Sequence, residues 1–276
     1  MRRRVARRGQ RLSRIAETFE RLRREGRRAF IPFVTAGDPD LQTTRALIPE
    51  LARAGADIIE LGVPFSDPVA DGPVIQRASE RALRGAVTVA DVLAVAADAR
   101  SECGVPVVLF SYFNPLMQYG VERLGRAAAD AGIDGVLVTD LVPEESGEFS
   151  AALADGGVNQ IFLAAPTTTD ARLSLIAAKA SGFIYAVSRA GVTGARTEMS
   201  AEAEALVGRV RRVSALPVAV GFGIASREQV AEVWRYADAA VIGSAIVAEL
   251  ERLAGAPDLV SRAGAFVRTL IPEGQG

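Results

Sequence analysis

Histidine is absent from the sequence, which excludes Ser-His-Asp and Cys-His catalysis, HExxH zinc chemistry and an imidazole proton shuttle. The single cysteine, Cys103, excludes an internal disulfide and a cysteine-rich zinc site, and is read as buried packing in a reducing compartment. Lysine is almost as scarce: Lys179 stands alone, so 31 of the 32 basic residues are arginine. No apolar run reaches membrane-spanning length, so no transmembrane helix is expected. Whatever chemistry the chain performs must use carboxylates, hydroxyls or backbone groups.

What remains has the profile expected of a globular soluble protein, with 49% hydrophobic and 24% charged residues over 276 positions. Charge is unevenly spread. Residues 1–28 hold 12 Arg and three Glu, a charge of +9, which leaves −10 for residues 29–276 under a total of −1. Within that basic arm Leu12, Ile15, Phe19 and Leu22 recur at helical spacing, the pattern of an amphipathic helix with a solvated arginine face packed on the domain. Residues 1–10 are expected to be a disordered basic extension, and residues 11–276 one catalytic domain.

Eight short β-rich runs recur, each followed by a helical stretch: "FIPFVT", "DIIELGV", "VPVVLFSY", "DGVLVTD", "QIFLAAP", "FIYAVS", "LPVAVGFG" and "AAVIGSA". Continuous apolar runs suit parallel strands buried on both faces, with the helices as crossovers. Eight such units predict an α/β fold, a closed (β/α)8 TIM barrel with an additional N-terminal helix. An open doubly wound sheet would carry GxGxxG after its first strand, where "TAGDPD" stands instead.

In such barrels the loops after the strands build the active site. After the seventh and eighth strands come "GFGIASREQV" and "VIGSAIVAEL", and after the sixth the Gly-rich "SRAGVTGAR". Glycines at a helix start admit an anion to backbone N–H groups, so these loops read as a phosphate cradle, or alternatively as tight strand-to-helix turns. Glu60 ends the second apolar run and Asp71 follows in "GVPFSDPVADGP". A partly desolvated Glu is suited to exchanging protons near neutral pH, and burying one without purpose is unfavourable. Asp67 in the same loop fits turn capping beside Pro68. Lys179 lies in a helical stretch, so imine catalysis is not expected, and metal-dependent aldol chemistry usually recruits the histidines this chain lacks. Metal-free acid–base chemistry on a phosphorylated substrate remains.

The stretches "FIPFVTAGDPD", "GADIIELGVPFSDPVADGPVIQRAS", "DGVLVTDLVPEES", "GFIYAVSRAGVTGAR", "GFGIAS" and "IGSAIV" resemble, in order and spacing, the tryptophan synthase alpha chain family, from about residue 12 to about residue 270. The resemblance implies retro-aldol cleavage of indole-3-glycerol phosphate to indole and D-glyceraldehyde 3-phosphate. It makes Glu60 and Asp71 the catalytic carboxylates and Tyr185 an active-site tyrosine, whose alternative is an inward barrel side chain with a bonded hydroxyl. It places phosphate contacts at Gly194, Gly223, Gly243 and Ser244, and an indole pocket at Phe33, Ile75, Leu137 and Phe222. It also implies a lid carrying Arg189 and Thr193, and partner contacts at Pro64 and Asp67. No cofactor is expected in this chain; pyridoxal phosphate is expected in a partner beta chain that receives indole within a cytoplasmic α2β2 complex. Neither nucleic acid nor membrane is an expected partner. A stand-alone lyase releasing free indole uses the same two carboxylates and stays open. A non-catalytic barrel kept to activate a partner would have no physical need for either.

Overall fold

The computed structural model describes residues 12–187 and 196–273. The basic extension at 1–10, the lid residues Arg189 and Thr193, and Gly194 lie outside them. The eight expected strands are present as β1 (Ala29–Thr35), β2 (Ile59–Gly62), β3 (Val107–Ser111), β4 (Gly135–Val138), β5 (Asn159–Ala164), β6 (Ile184–Val187), β7 (Val218–Gly221) and β8 (Ala239–Ile242). All pair in parallel and in sequence order, and β8 returns to β1 to close the barrel. This is a TIM barrel with one helix ahead of β1.

That helix, α1 (Arg14–Arg24), is capped by Ser13, whose hydroxyl accepts the Ala16 N–H. The crossovers are α2 (Leu41–Arg53), α3 (Pro73–Arg84), α4 (Val89–Arg100), α5 (Phe113–Tyr119), α6 (Val121–Asp130) and α7 (Gly147–Asp155). The second half follows with α8 (Asp170–Lys179), α9 (Arg196–Val213), α10 (Arg227–Val233), α11 (Ser244–Leu253) and α12 (Leu259–Leu270).

The apolar strands hide a period of two. On β1, Ile31 and Phe33 join the cluster inside the barrel, while Phe30 and Val34 join the larger one between strands and helices. On β2, Ile59 and Leu61 belong to the outer cluster, and Ile58 just before the strand to the inner one, so Glu60 takes the interior phase. Both faces being apolar, the alternation cannot be seen in hydrophobicity alone.

The opposite end of the barrel is held by a repeated device. Asp57, Asp134 and Asp238, each just before an even-numbered strand, accept the N–H of Phe30, Val107 and Val218 near the start of the preceding strand, at 3.0, 2.9 and 2.9 Å. Before β6 the Ser181 hydroxyl does the same for Gln160 at 2.9 Å. Arg14 of α1 pairs with Asp134 at 2.6 Å and Arg21 with Asp57 at 3.5 Å, while Ile15, Phe19 and Leu22 bury against the barrel. Leu12 departs from the expected pattern: it precedes the Ser13 cap and is 50% exposed, because the helix starts too late to turn it inward.

Asp134→Ala removes both the Arg14 pair and the acceptor for a buried strand N–H, and is expected to lower stability by about 2 kcal/mol. Urea unfolding checks this. A loss no larger than that of an exposed substitution would show that the strand-start N–H is satisfied otherwise.

Candidate active site

Glu60 lies one layer deeper than a strand end. β2 continues to Gly62, and Glu60 pairs in register with Phe33 on one side and Val108 on the other. Its side chain is 1% exposed, and neither carboxylate oxygen has a hydrogen-bond partner among the described residues. Burial pushes its carboxyl up to about 8. An orphaned buried carboxylate is unfavourable for folding and calls for an explanation outside the fold.

Asp71 is half-buried in the loop between β2 and α3. Its N–H donates to the Pro68 carbonyl at 3.0 Å, and its own carbonyl accepts from Gln76 Nε2 on α3 at 2.9 Å. Burial pushes the Asp71 carboxyl up to about 6, against a hydrogen bond from the Tyr112 hydroxyl that favours the charged form. Tyr112 also accepts the Ala70 N–H at 2.9 Å, so one phenol fixes two consecutive loop residues. The Tyr112 hydroxyl is itself pushed well above its ordinary value, by burial first and by the Asp71 charge next. The sequence by itself gives Tyr112 no role beyond ending the third apolar run. The signal was there in a lone phenol closing "VVLFSY".

Glu60 and Asp71 line one cavity of about 380 Å3 with Phe33, Ile75, Tyr185, Phe222, Gly223, Gly243 and Ser244. Phe110 and Val241 complete its apolar wall and were not anticipated. Leu137 does not line it directly: the side chain is fully buried in the inner cluster, on β4 in register with Phe110 of the cavity wall. Glycine at two strand positions makes room for the aromatic side chains that wall the cavity. A Cβ on Gly62 would lie 2.5 Å from the Phe33 ring, and one on Gly221 would lie 1.9 Å from the Tyr185 hydroxyl. Phe33 meets Phe110 edge-on at 5.2 Å between ring centroids, and Tyr185 meets Phe222 edge-on at 6.0 Å. The Tyr185 hydroxyl is held protonated, by burial first and then by the charges of Glu60 and Asp71.

At the other side of the cavity Phe222 and Gly223 both adopt positive φ, 78° and 82°. Such a backbone is strained for a phenylalanine, and strain of that kind gathers at functional sites. α11 starts at Ser244 after Gly243, and among the described residues no side chain caps its first N–H groups. Uncapped N–H groups at a helix start, facing a cavity, are suited to an anion. Among the described residues, no lining side chain is basic.

A larger cavity, about 580 Å3, lies between α1 and the segment before β7, lined by residues such as Phe19, Arg23, Arg211 and Pro217. It holds neither carboxylate, and volume alone does not mark the chemistry. Pro64 is buried beside another cavity with Tyr119 and Arg123, while Asp67 is exposed and accepts from the Ser66 hydroxyl at 2.5 Å. Among the described residues no cluster of His, Cys, Asp and Glu could hold a metal ion.

An unsatisfied glutamate and a tethered aspartate across one apolar cavity, at the loop end of a (β/α)8 barrel, define an acid–base enzyme acting on a small organic anion. Comparison with known proteins narrows that class. The family model described as tryptophan synthase alpha chain matches residues 19–270. A tryptophan synthase alpha chain of Solibacter usitatus is 49% identical, over 94% of this chain and 97% of its own. One from Geobacter sulfurreducens is 48% identical, over 94% and 98%. Among solved structures, the tryptophan synthase subunit alpha of Legionella pneumophila superposes with a TM-score of 0.87 at 37% identity, covering 94% of this chain and 97% of that one. A chain of ligand-free tryptophan synthase from M. tuberculosis does so with 0.83 at 40%, covering 94% and 99%.

The chain belongs to the tryptophan synthase alpha chain family. It is a carbon–carbon lyase that cleaves indole-3-glycerol phosphate to indole and D-glyceraldehyde 3-phosphate. The family's alpha chain carries no cofactor, pyridoxal phosphate belonging to the beta chain.

Proposed function

We propose that Glu60 carries both proton transfers of the retro-aldol reaction and that Asp71 stabilises the charge formed between them. The observation that carries this reading is the Glu60 carboxylate itself, buried beside the cavity without a hydrogen-bond partner among the described residues. With its carboxyl at about 8, Glu60 is protonated at neutral pH and can act as an acid. It gives its proton to indole C3, which turns the ring into a cationic indolenine. Asp71, ionised above about 6, accepts the hydrogen bond of the ring N–H and stabilises the positive charge there. The Glu60 carboxylate then takes the proton of the side-chain hydroxyl. The C–C bond breaks, its electron pair restores the aromatic ring, and the hydroxyl carbon becomes the aldehyde. Glu60 ends as it began.

Phe33, Ile75, Leu137 and Phe222 are the proposed indole surroundings, with Leu137 packed behind the lining residues. Gly223, Gly243 and Ser244 offer backbone and hydroxyl donors to the phosphate, and Tyr185 orients Glu60 or the substrate. Gly194, Arg189 and Thr193 are assigned by family resemblance to phosphate binding and to a lid excluding water from the intermediate.

The chain is further proposed to act as the alpha half of an α2β2 tryptophan synthase, passing indole to a pyridoxal-phosphate beta chain in the cytoplasm. Similarity to chains from crystal structures of tryptophan synthase supports this. So does the Pro64–Asp67 loop, beside which Val69 stands 88% exposed. No helix among the described residues is long and apolar enough to cross a membrane. The test is indole release from indole-3-glycerol phosphate with and without a beta chain. Slow release, accelerated about tenfold or more by the beta chain, is expected, an ordinary size for coupling between sites. Fast unaided release that a beta chain leaves unchanged would favour a stand-alone lyase.

A further inference from the structure

α3 and α11 pack together at the rim of the barrel, and a chain of ion pairs joins them. Arg81 on α3 donates to both oxygens of Asp38, through Nε and Nη2, each at 2.8 Å. Its remaining nitrogen, Nη1, donates to Glu251 Oε1 on α11 at 2.8 Å. Arg77, one turn earlier on α3, grips the same Glu251 carboxylate in bidentate fashion at 2.9 and 2.8 Å. Asp38 sits in the loop between β1 and α2 and is only 2% exposed. A planar bidentate pair with one partner buried is stiffer and less screened than an ordinary surface bridge.

Each element in this chain leads to a different wall of the cavity. α3 begins at Pro73, directly after Asp71 and its Gly72 cap, and Gln76 on its second turn holds the Asp71 carbonyl. α11 begins at Ser244, at the end of the cavity proposed for phosphate. The loop holding Asp38 follows β1, which carries Phe33. A single guanidinium thus joins the elements bearing the carboxylate, phosphate and apolar walls.

We propose that Arg81 is a positioning residue for the lyase reaction: by tying α3 to α11 and to the β1–α2 loop, it fixes the separation between Asp71 and Ser244, so that one substrate molecule engages both ends at once. The proposal rests on the roles given above to Asp71 and Ser244. A substrate that spans two sites is sensitive to their separation, whereas a ligand filling one site is not. A network that merely held the helices folded would affect all ligands together.

The experiment uses the full chain with Arg81→Ala and Arg81→Lys. It measures kcat and KM for indole-3-glycerol phosphate, and separately the affinities for glycerol 3-phosphate and for indole as probes of the two ends. For Arg81→Ala, kcat/KM is expected to fall about 100-fold, the scale of a 1 Å misplacement, while each fragment binds almost as before. Arg81→Lys should recover part of the loss, because a point charge can reach one carboxylate but not grip two. Unchanged kcat/KM, or fragment affinities falling in step with the substrate, would overturn the proposal. Should Arg81→Ala fail to fold, Glu251→Gln weakens the α11 arm and leaves the Asp38 pair intact. The same pattern, smaller in size, is expected there, and an unaltered kcat/KM would equally overturn it. If Asp71→Asn and Ser244→Ala are both harmless, the site assignment itself fails. If both are harmful while Arg81→Ala is not, only the positioning role is lost.

Discussion

Glu60→Gln lowers kcat by about 10²–10⁴-fold, the usual contribution of a positioned acid–base group, while leaving the affinity for glycerol 3-phosphate unchanged. The amide keeps the volume of the side chain but can neither give up nor accept the proton that the reaction moves. The same substitution is expected to stabilise the protein at alkaline pH. Burial raises the Glu60 carboxyl from 4.5 to about 8, so between those values the folded state holds the proton more tightly than the unfolded chain does. This contribution to stability is fully present below pH 4.5 and is lost as pH rises through about 8. Glutamine does not ionise and escapes that loss. Above pH 8 the variant should exceed the wild type by on the order of a few kcal/mol. Stability curves at pH 5 and pH 9, alongside single-turnover kinetics, test both halves. Retained activity would remove Glu60 from the mechanism, and equal stability at the two pH values would mean that its charge is solvated in the folded state. Opposite signs for activity and stability are what a site held in a strained electrostatic state produces.

Asp71→Asn is expected to lower kcat by about 10²–10³-fold, the loss seen when a preorganised stabiliser of transition-state charge is removed. The group must be ionised to act, and Glu60 must be protonated. With Asp71 at about 6 and Glu60 at about 8, kcat/KM should rise with pH through the first value and fall through the second, giving a bell. The two carboxyls share one cavity, so the limbs report the pair. In Asp71→Asn the acid limb should vanish from the residual activity while the alkaline limb persists. A near-normal rate, or an acid limb unaltered in the variant, would remove Asp71 from the role given to it. Tyr112 bears on the same limb, since its hydrogen bond is what opposes the effect of burial on Asp71.

The sequence by itself determined the eight strands, because each is a short β-branched run bounded by helix-forming stretches. Every one of the eight quoted runs contains its strand, or all but one residue of it. It determined the helix ahead of β1 through Ile15, Phe19 and Leu22. The absence of histidine and the near-absence of lysine confine the chemistry to carboxylates, hydroxyls and backbone groups. Glu60 and Asp71 stood out because a carboxylate closing an apolar run contradicts its surroundings, and such local contradictions are legible in one dimension.

Tertiary structure alone decided how those residues meet. Glu60 lies inside the strand rather than at its end because pairing with β1 and β3 extends to Gly62, and pairing register is a property of three strands together. Leu137 has the same apolar character as Phe33, yet one is fully buried in the inner cluster and the other lines the cavity. Tyr112 reaches Ala70 across 42 residues, and Arg81 reaches Asp38 across 43 and Glu251 across 170. Periodicity and propensity describe neighbours within a few residues. A closed barrel brings remote segments together through its register and curvature, and no local pattern encodes which side chains then share a cavity.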